Sequence, residues 1–180
     1  MGNRIYNMQD CVDFGKIGEK EIFDFLMARP KVQGIVDVRR APALRTCDVD
    51  FLLINADDKT FRVEVKTDSY KSGNLFIEEN SCVEKNTAGC VMKTSADYLA
   101  YYFVNERVVY FIQMNGFLPW YIANRERFRS VTVKNDTPGW KPYSAAGRLV
   151  PRKVLEAECA PFVKTKTLPM SKETSDVLHC

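Results

Sequence analysis

The feature that most constrains this chain is a pair of alternating segments separated by a cluster of turn formers. In Cys47-Asp48-Val49-Asp50-Phe51 and again in Phe61-Arg62-Val63-Glu64-Val65-Lys66, polar and apolar residues alternate. A period of two marks a strand buried on one face, so Glu64 and Lys66 share a face, as do Asp48 and Asp50. Between the segments lies Asn55-Ala56-Asp57-Asp58-Lys59, and residues of these types favour a short turn, so the strands are expected to pair as a hairpin. Asp50 and Glu64 then sit on neighbouring strands, close enough to share one ion. Hard divalent cations take oxygen ligands, and Mg²⁺ uses one or two carboxylates while keeping positions for water and phosphate. A lysine beside them can orient or deprotonate an attacking water and offset charge on a phosphorane-like transition state. A merely solvated strand face would make Glu-x-Lys an ion pair of little weight. The Asp partner across the hairpin, together with the preceding helix, favours the chemical reading.

That helix is predicted from Lys16 to Arg29, stopped by Pro30. Ile22, Phe23 and Leu26 form its apolar stripe, and Glu19 lies three and four positions before the first two, toward the buried side. An inward carboxylate needs a partner, although capping of the helix start is the ordinary role for such a residue. Glu21 is the alternative if the helix is rotated, and Asp24 is expected in solvent. Lys31 to Arg39, centred on Gly34-Ile35-Val36-Asp37-Val38, is the predicted first strand.

In order and spacing, Gly15-x-x-x-Glu19-x-x-Ile22-x-x-x-Leu26, then Asp48-Val49-Asp50, then Glu64-Val65-Lys66 resembles the PD-(D/E)XK nuclease superfamily. The likeness is to its small archaeal Holliday-junction-resolvase-like and phage-encoded members. It covers residues 15 to 66 and continues more loosely to about residue 113. It implies a restriction-endonuclease-like core with Asp50 and Glu64 as metal ligands and the Val65 carbonyl as a further one. Lys66 would serve the water nucleophile, and Glu19 would add an outer carboxylate. Mg²⁺ would be the cofactor, with Mn²⁺ able to substitute. Cys47 stands before Asp48 where the family's pattern has proline, and Asp48 competes with Asp50; Asp50 is preferred because its loop to Glu64 is closer to the short hairpins of such nucleases. The resemblance also suggests a phage or mobile-element origin, and a cytoplasmic location is expected.

Several other chemistries are disfavoured. The single histidine, His179, is next to the last residue, which removes the usual support for histidine-based nucleases, zincins and Ser-His-Asp hydrolases. Neither a P-loop nor a G-x-G-x-x-G occurs, so no nucleotide cofactor is expected. No apolar run reaches membrane-spanning length, and the N-terminus lacks a signal-peptide pattern. Six cysteines at 11, 47, 82, 90, 159 and 180 form no C-x-x-C pair and read as reduced intracellular thiols.

At 180 residues and 46% hydrophobic content, the chain can bury one good core. One nuclease domain over 1–160 is expected, with its core at about 15–113, a basic portion at 114–160 and an extended tail over 161–180. After the lysine strand, 68–84 is rich in turn formers, with Leu75-Phe76-Ile77-Glu78 as a short extended piece; Lys71, Ser72 and Asn74 are candidates for phosphate contact. Gly89 to Tyr98 reads as a short strand entering a helix capped by Thr94 or Ser95, with Tyr98, Tyr101, Tyr102 and Phe103 on its packed face. Lys93, just before that helix start, is a candidate phosphate ligand. Arg107 to Met114 is an apolar strand, Asn115-Gly116 a turn, and Pro119 the opening of a helix to about Phe128. Residues 135–139 form a loop, Gly147 to Val150 an edge strand, and Pro151 starts a last helix to about Cys159.

Charge is uneven along the chain. From Trp120 to Lys166 there are ten Lys or Arg against four Asp or Glu, while the whole chain carries only +3. Arg125, Arg127 and Arg129 lead this basic portion and are candidate nucleic-acid contacts; Trp140 and Tyr143 are candidate base-stacking residues. The expectation is an α/β protein with a mixed central sheet flanked by helices, acting as a metal-dependent endonuclease on duplex or branched DNA. A symmetric substrate would call for a homodimer. The rival readings are a catalytically silent nucleic-acid- or protein-binding domain on the same fold, and an RNase or exonuclease.

Overall fold

The hairpin predicted from alternation lies at the centre of one sheet. A computed structural model of the chain describes residues 5–136 and 141–169. In chain order the elements are β1 (Ile5–Asn7), α1 (Met8–Met27), β2 (Val32–Asp37), α2 (Pro42–Arg45), β3 (Phe51–Asn55), β4 (Thr60–Asp68), β5 (Asn74–Cys82), β6 (Thr87–Ala88) and α3 (Cys90–Lys93). There follow β7 (Tyr98–Phe103), β8 (Val108–Gln113), α4 (Met114–Asn124), β9 (Arg129–Asp136), β10 (Tyr143–Pro151), α5 (Arg152–Glu158) and β11 (Val163–Thr167). The protein is α/β, with a mixed six-strand sheet ordered β11-β8-β7-β4-β3-β2 and a second sheet ordered β1-β9-β10-β5-β6. In the first, β4 and β7 are parallel and all other neighbours antiparallel. The second is antiparallel except for β1, which runs parallel to β9.

Phe51 pairs with Val63 across the hairpin. The turn forms as its residue types dictate: Asn55 Oδ1 accepts the Asp57 and Lys59 amides at 3.0 and 2.9 Å, and Asp58 takes φ +60°, a conformation short polar side chains tolerate. One face of the six-strand sheet packs on α1, where Ile22, Phe25 and Leu26 meet Phe51, Val63, Val65, Ala100 and Tyr102. The opposite face is covered by the second sheet and α4, through Leu75, Ile77, Leu99, Tyr101, Phe103, Phe117 and Tyr121. The expected flanking helices are therefore few: α1 holds one face, and strands take most of the place expected for helices on the other.

Several expected elements are corrected. Residues 98–103 are a strand, not a helix, and the helical turn precedes it as α3. With β7 buried on both faces, its run of apolar and aromatic residues has no polar alternation to betray a strand. Asn115 and Gly116 lie inside α4, whose Pro119 is internal. Here a Cβ at residue 116 would meet the Phe162 ring, so the glycine serves close packing instead of a turn. Gly147 to Val150 belongs to β10, which lies between β9 and β5 and not at an edge. Residues Ala160–Phe162 form a 3-10 turn; the chain is extended only from Val163, where β11 pairs with β8, and Leu168 is buried. Thr137 to Trp140 and the tail from Met170, His179 included, lie outside the described residues.

Helix α1 starts at Met8, well before the expected Lys16, and runs through Gly15 and Gly18 despite their low helix propensity. Gly18 is buried against β4, where an added Cβ would lie 2.0 Å from Thr67 Oγ1. Only a glycine lets the helix approach this closely. Gly18→Val is expected to force α1 off β4 and to destabilise the protein by about 1–3 kcal/mol, whereas Gly15→Ala, with nothing near its Cβ, should be neutral or slightly stabilising. Thermal melting of the two variants checks this; equal melting temperatures would contradict the contact.

Candidate active site

Asp50 immediately precedes β3, and its backbone is pinned on both sides. Its amide donates to the Val63 carbonyl, and its carbonyl accepts the Val38 amide, each at 2.9 Å. Its Oδ2 accepts the Val65 amide at 2.8 Å, which turns the carboxylate along β4 toward Glu64. Val63 and Val65 face α1, so Glu64 and Lys66 point to the other side of β4. There the Cys90 thiol donates to Glu64 Oε1 at 3.3 Å. Among the described residues, neither Asp50 nor Glu64 lies within ion-pairing distance of a Lys or Arg.

The electrostatic consequence is large. Burial raises the Asp50 carboxyl to about 6 against the pull of the Val65 hydrogen bond, with the Glu19 charge adding to the rise. Burial, and then the Asp50 charge, push Glu64 up to about 9. Two carboxyls this close cannot both ionise cheaply, so near neutral pH the pair retains a proton.

The surrounding charges are arranged around this pair. Burial works against the Lys66 ammonium, but Glu78 above all, then Cys90, Glu64 and Asp48, outweigh it and raise its pKa. Glu19 reaches the same region from α1 and pairs with Arg39, which also bonds Asp37 at 2.5 and 2.9 Å and lies over the Phe51 ring. Asp48, at φ +45°, pairs with Lys93 at 3.1 Å, and its carbonyl accepts the Thr94 hydroxyl at 2.7 Å. Gly89 makes the approach of α3 possible, since a Cβ there would lie 2.3 Å from the Glu78 carbonyl; this contact sets Cys90 between Glu64 and Glu78.

The structure thus brings together Glu19, Asp50, Glu64, Val65 and Lys66, with Asp48 and Lys93 beside them. Asp50, not Asp48, is the aspartate that meets Glu64. Lys93 ends α3 instead of preceding a helix start, so the free-amide argument for phosphate binding there is lost; it pairs with Asp48. Glu21 points elsewhere, accepting Tyr102 Oη at 2.7 Å and Arg107 at 2.6 Å. Asp24 is exposed and paired with Lys20. Lys71 is exposed between β4 and β5, and Asn74 opens β5. The basic cluster does not join the site. Glu79, one residue on from Glu78, points to the opposite face of β5 and there takes Arg125 at 3.5 Å. Arg127 grips Glu158 with two bonds of 2.9 and 2.7 Å, and Arg129 is exposed at the start of β9. Sequence reasoning missed Arg39, Glu78 and Cys90. Glu78 had a legible signal, because Leu75 and Ile77 are buried and alternation puts Phe76 and Glu78 on the other face.

The donor set can be weighed against a metal. Among the described residues, no group of three or more His, Cys, Asp or Glu side chains is placed to hold an ion by itself. The chemistry of Asp50 and Glu64 nevertheless suits a hard divalent cation: two carboxyl groups share a half-buried site without a basic side chain of their own, and main-chain oxygen is at hand on β4. Among the described residues, no helix is long and apolar enough to cross a membrane. Compared with protein-family models, curated proteins and solved structures, the chain matches none.

A pH dependence follows for the metal-free protein. The unfolded chain releases the Glu64 proton in the ordinary carboxylate range, whereas the folded chain holds it to about pH 9. Across that window the folded state binds more protons, so its stability falls as pH rises; Asp50 adds to the fall up to about pH 6. The melting temperature in EDTA should therefore decline from about pH 5 to about pH 9, and Glu64→Gln should flatten the decline. A wild-type melting temperature that rises through the same range would contradict a proton retained by this pair.

Proposed function

We propose that the protein is a Mg²⁺-dependent nuclease that hydrolyses phosphodiester bonds of DNA on a PD-(D/E)XK-type core. The observation that carries the reading is the half-buried Asp50 and Glu64 pair, with Lys66 on the same strand face as Glu64. The order of α1 followed by β2, β3 and β4, with Glu19 reaching the pair from the helix, also supports it. Asp50, Glu64 and the Val65 carbonyl would hold the ion, for which Mn²⁺ can substitute. When bound, such an ion supplies Lewis-acid polarisation of the phosphate and a nucleophilic water near neutral pH.

The chain's own residues have distinct tasks. Lys66, kept charged by Glu78 and its other acidic neighbours, donates hydrogen bonds to the attacking water and offsets charge developing on the phosphate. This favours positioning over proton removal, because an ammonium is not a base. Glu78 positions Lys66 from β5. Arg39 neutralises Glu19 and fixes its carboxylate at the edge of the site, and Lys93 does the same for Asp48. Asp50 and Glu64 are thereby left as the carboxylates with open valence. Water attacks the phosphorus in line and the bond to the 3′ oxygen breaks, leaving a 5′-phosphate on the product.

Labelled linear duplex, single-stranded, flapped and four-way-junction DNA, incubated with Mg²⁺, Mn²⁺ or EDTA, test the proposal. Wild type should cut at least one substrate only with metal. Lys66→Ala should slow cutting by about 10²–10³-fold, and Asp50→Asn and Glu64→Gln should abolish it. Cutting that survives EDTA or Lys66→Ala would overturn the site, and DNA binding without any cutting would mark a silent binding domain.

A further inference from the structure

One side of the Lys66 region opens into a cavity of about 680 Å³. Its position, its wall chemistry and its rim point to one kind of occupant. We propose that it receives an unpaired nucleobase of the substrate, adjacent to the phosphate that is cut; this rests on the nuclease reading above.

Position comes first. Lys66 and Glu78 both line the cavity, so anything bound in it is continuous with the reacting phosphate. The strands that shape it explain why it stays open. On β5, Leu75 and Ile77 go into the core while Asn74, Phe76 and Glu78 line the cavity, and Val131 and Val133 of β9 with Leu149 of β10 extend the same wall.

The wall chemistry is that of a base site. Phe76, Val133 and Leu149 supply apolar surface, and Ser72, Asn74 and Asn135 supply hydrogen-bond donors and acceptors. Among the described residues no lysine or arginine other than Lys66 lines it, whereas the carboxyl groups of Asp68 and Glu78 do, so its interior suits an uncharged heterocycle and not a phosphate. At the rim stand Phe14 and Tyr70, two aromatic side chains that remain 43% and 39% exposed although aromatic rings are ordinarily drawn into the core. Stacking on exposed aromatic rings is how proteins hold unpaired bases without regard to sequence. The rim is also fixed in place. Asp68 accepts the Tyr70 amide at 2.7 Å and the Tyr101 hydroxyl at 2.6 Å, and Tyr101 Oη in turn accepts the Phe76 amide at 2.9 Å. A base within a paired, stacked duplex cannot enter such a recess without leaving the stack. The substrate class is accordingly nucleic acid with an unpaired nucleotide at the cut site, as in a single strand, a flap or an opened junction.

The test uses the full-length protein in EDTA, so that binding is measured apart from cutting. The probes are DNA and RNA oligonucleotides carrying one 2-aminopurine, as single strands and as perfect duplexes, read by anisotropy and by 2-aminopurine emission. Single strands of at least one sugar type should bind about tenfold or more tightly than the duplex, with emission quenched on binding. Phe14→Ala with Tyr70→Ala should weaken single-strand binding by about tenfold with an unchanged melting temperature, and Asn135→Asp should weaken it independently. Equal affinity for single strand and duplex, no binding of either, or binding indifferent to all three substitutions would overturn the base pocket. The two readings fail separately. Metal-dependent cutting of perfect duplex that is undiminished in the Phe14/Tyr70 variant leaves the nuclease and removes the pocket. Quenching that the substitutions abolish, without metal-dependent cutting of any substrate, leaves the pocket and removes the nuclease.

Discussion

The arrangement around β4 depends on placing two carboxyl groups, Asp50 and Glu64, side by side in a half-buried site. Such a pair is unfavourable in isolation, because burial and mutual repulsion both oppose ionisation. The fold holds it by backbone contacts that leave the carboxylates little choice. The Val63, Val65 and Val38 main-chain bonds fix Asp50, and the alternation of β4 fixes Glu64. Carboxyl groups perturbed by burial and a like-charged neighbour gather at functional sites.

The other charges near the pair are already matched. Glu19 has Arg39, Asp48 has Lys93, and Lys66 has Glu78 as its strongest favourable neighbour. The site is therefore sorted into balanced pairs at its margin and an unbalanced centre, and an added divalent cation would complete the centre without disturbing the margin. The close approaches at Gly18 and Gly89 serve the same end. One lets α1 carry Glu19 toward the hairpin, and the other lets α3 carry Cys90 and Lys93 to its far side.

Most of this centre was legible in the sequence because it rests on a local rule. The hairpin, its turn, and the shared face of Glu64 and Lys66 follow from a period of two over a few residues. The helix carrying Glu19 follows from its apolar stripe. What was not legible depends on tertiary contact. The strand at 98–103 is buried on both faces and so lacks the polar alternation that would distinguish it from a helix. Strand β5 runs on past the extended piece expected at Leu75 to Glu78, because Glu79 and Asn80 look like loop residues until Arg125 is known to lie beside Glu79. Arg39 carried no signal at all, since a strand-end arginine is ordinarily solvated. The basic portion shows the same dependence on tertiary contact: much of its charge, at Arg125, Arg127, Arg148 and Arg152, is matched by Glu79, Glu126, Glu158 and Glu106 within the chain.

The central claim is that Asp50 and Glu64 form a vacant-charge site for a divalent cation, and calorimetric titration with Mn²⁺ near pH 7 tests it most directly. Run in buffers of different ionisation enthalpy, the titration also counts protons. The account predicts saturable binding that releases about one proton, the one Glu64 retains at that pH, as expected when a ligand must deprotonate to bind metal. It further predicts loss of binding in both Asp50→Asn and Glu64→Gln. Absence of binding by wild type, or equal binding by the two variants, would contradict it.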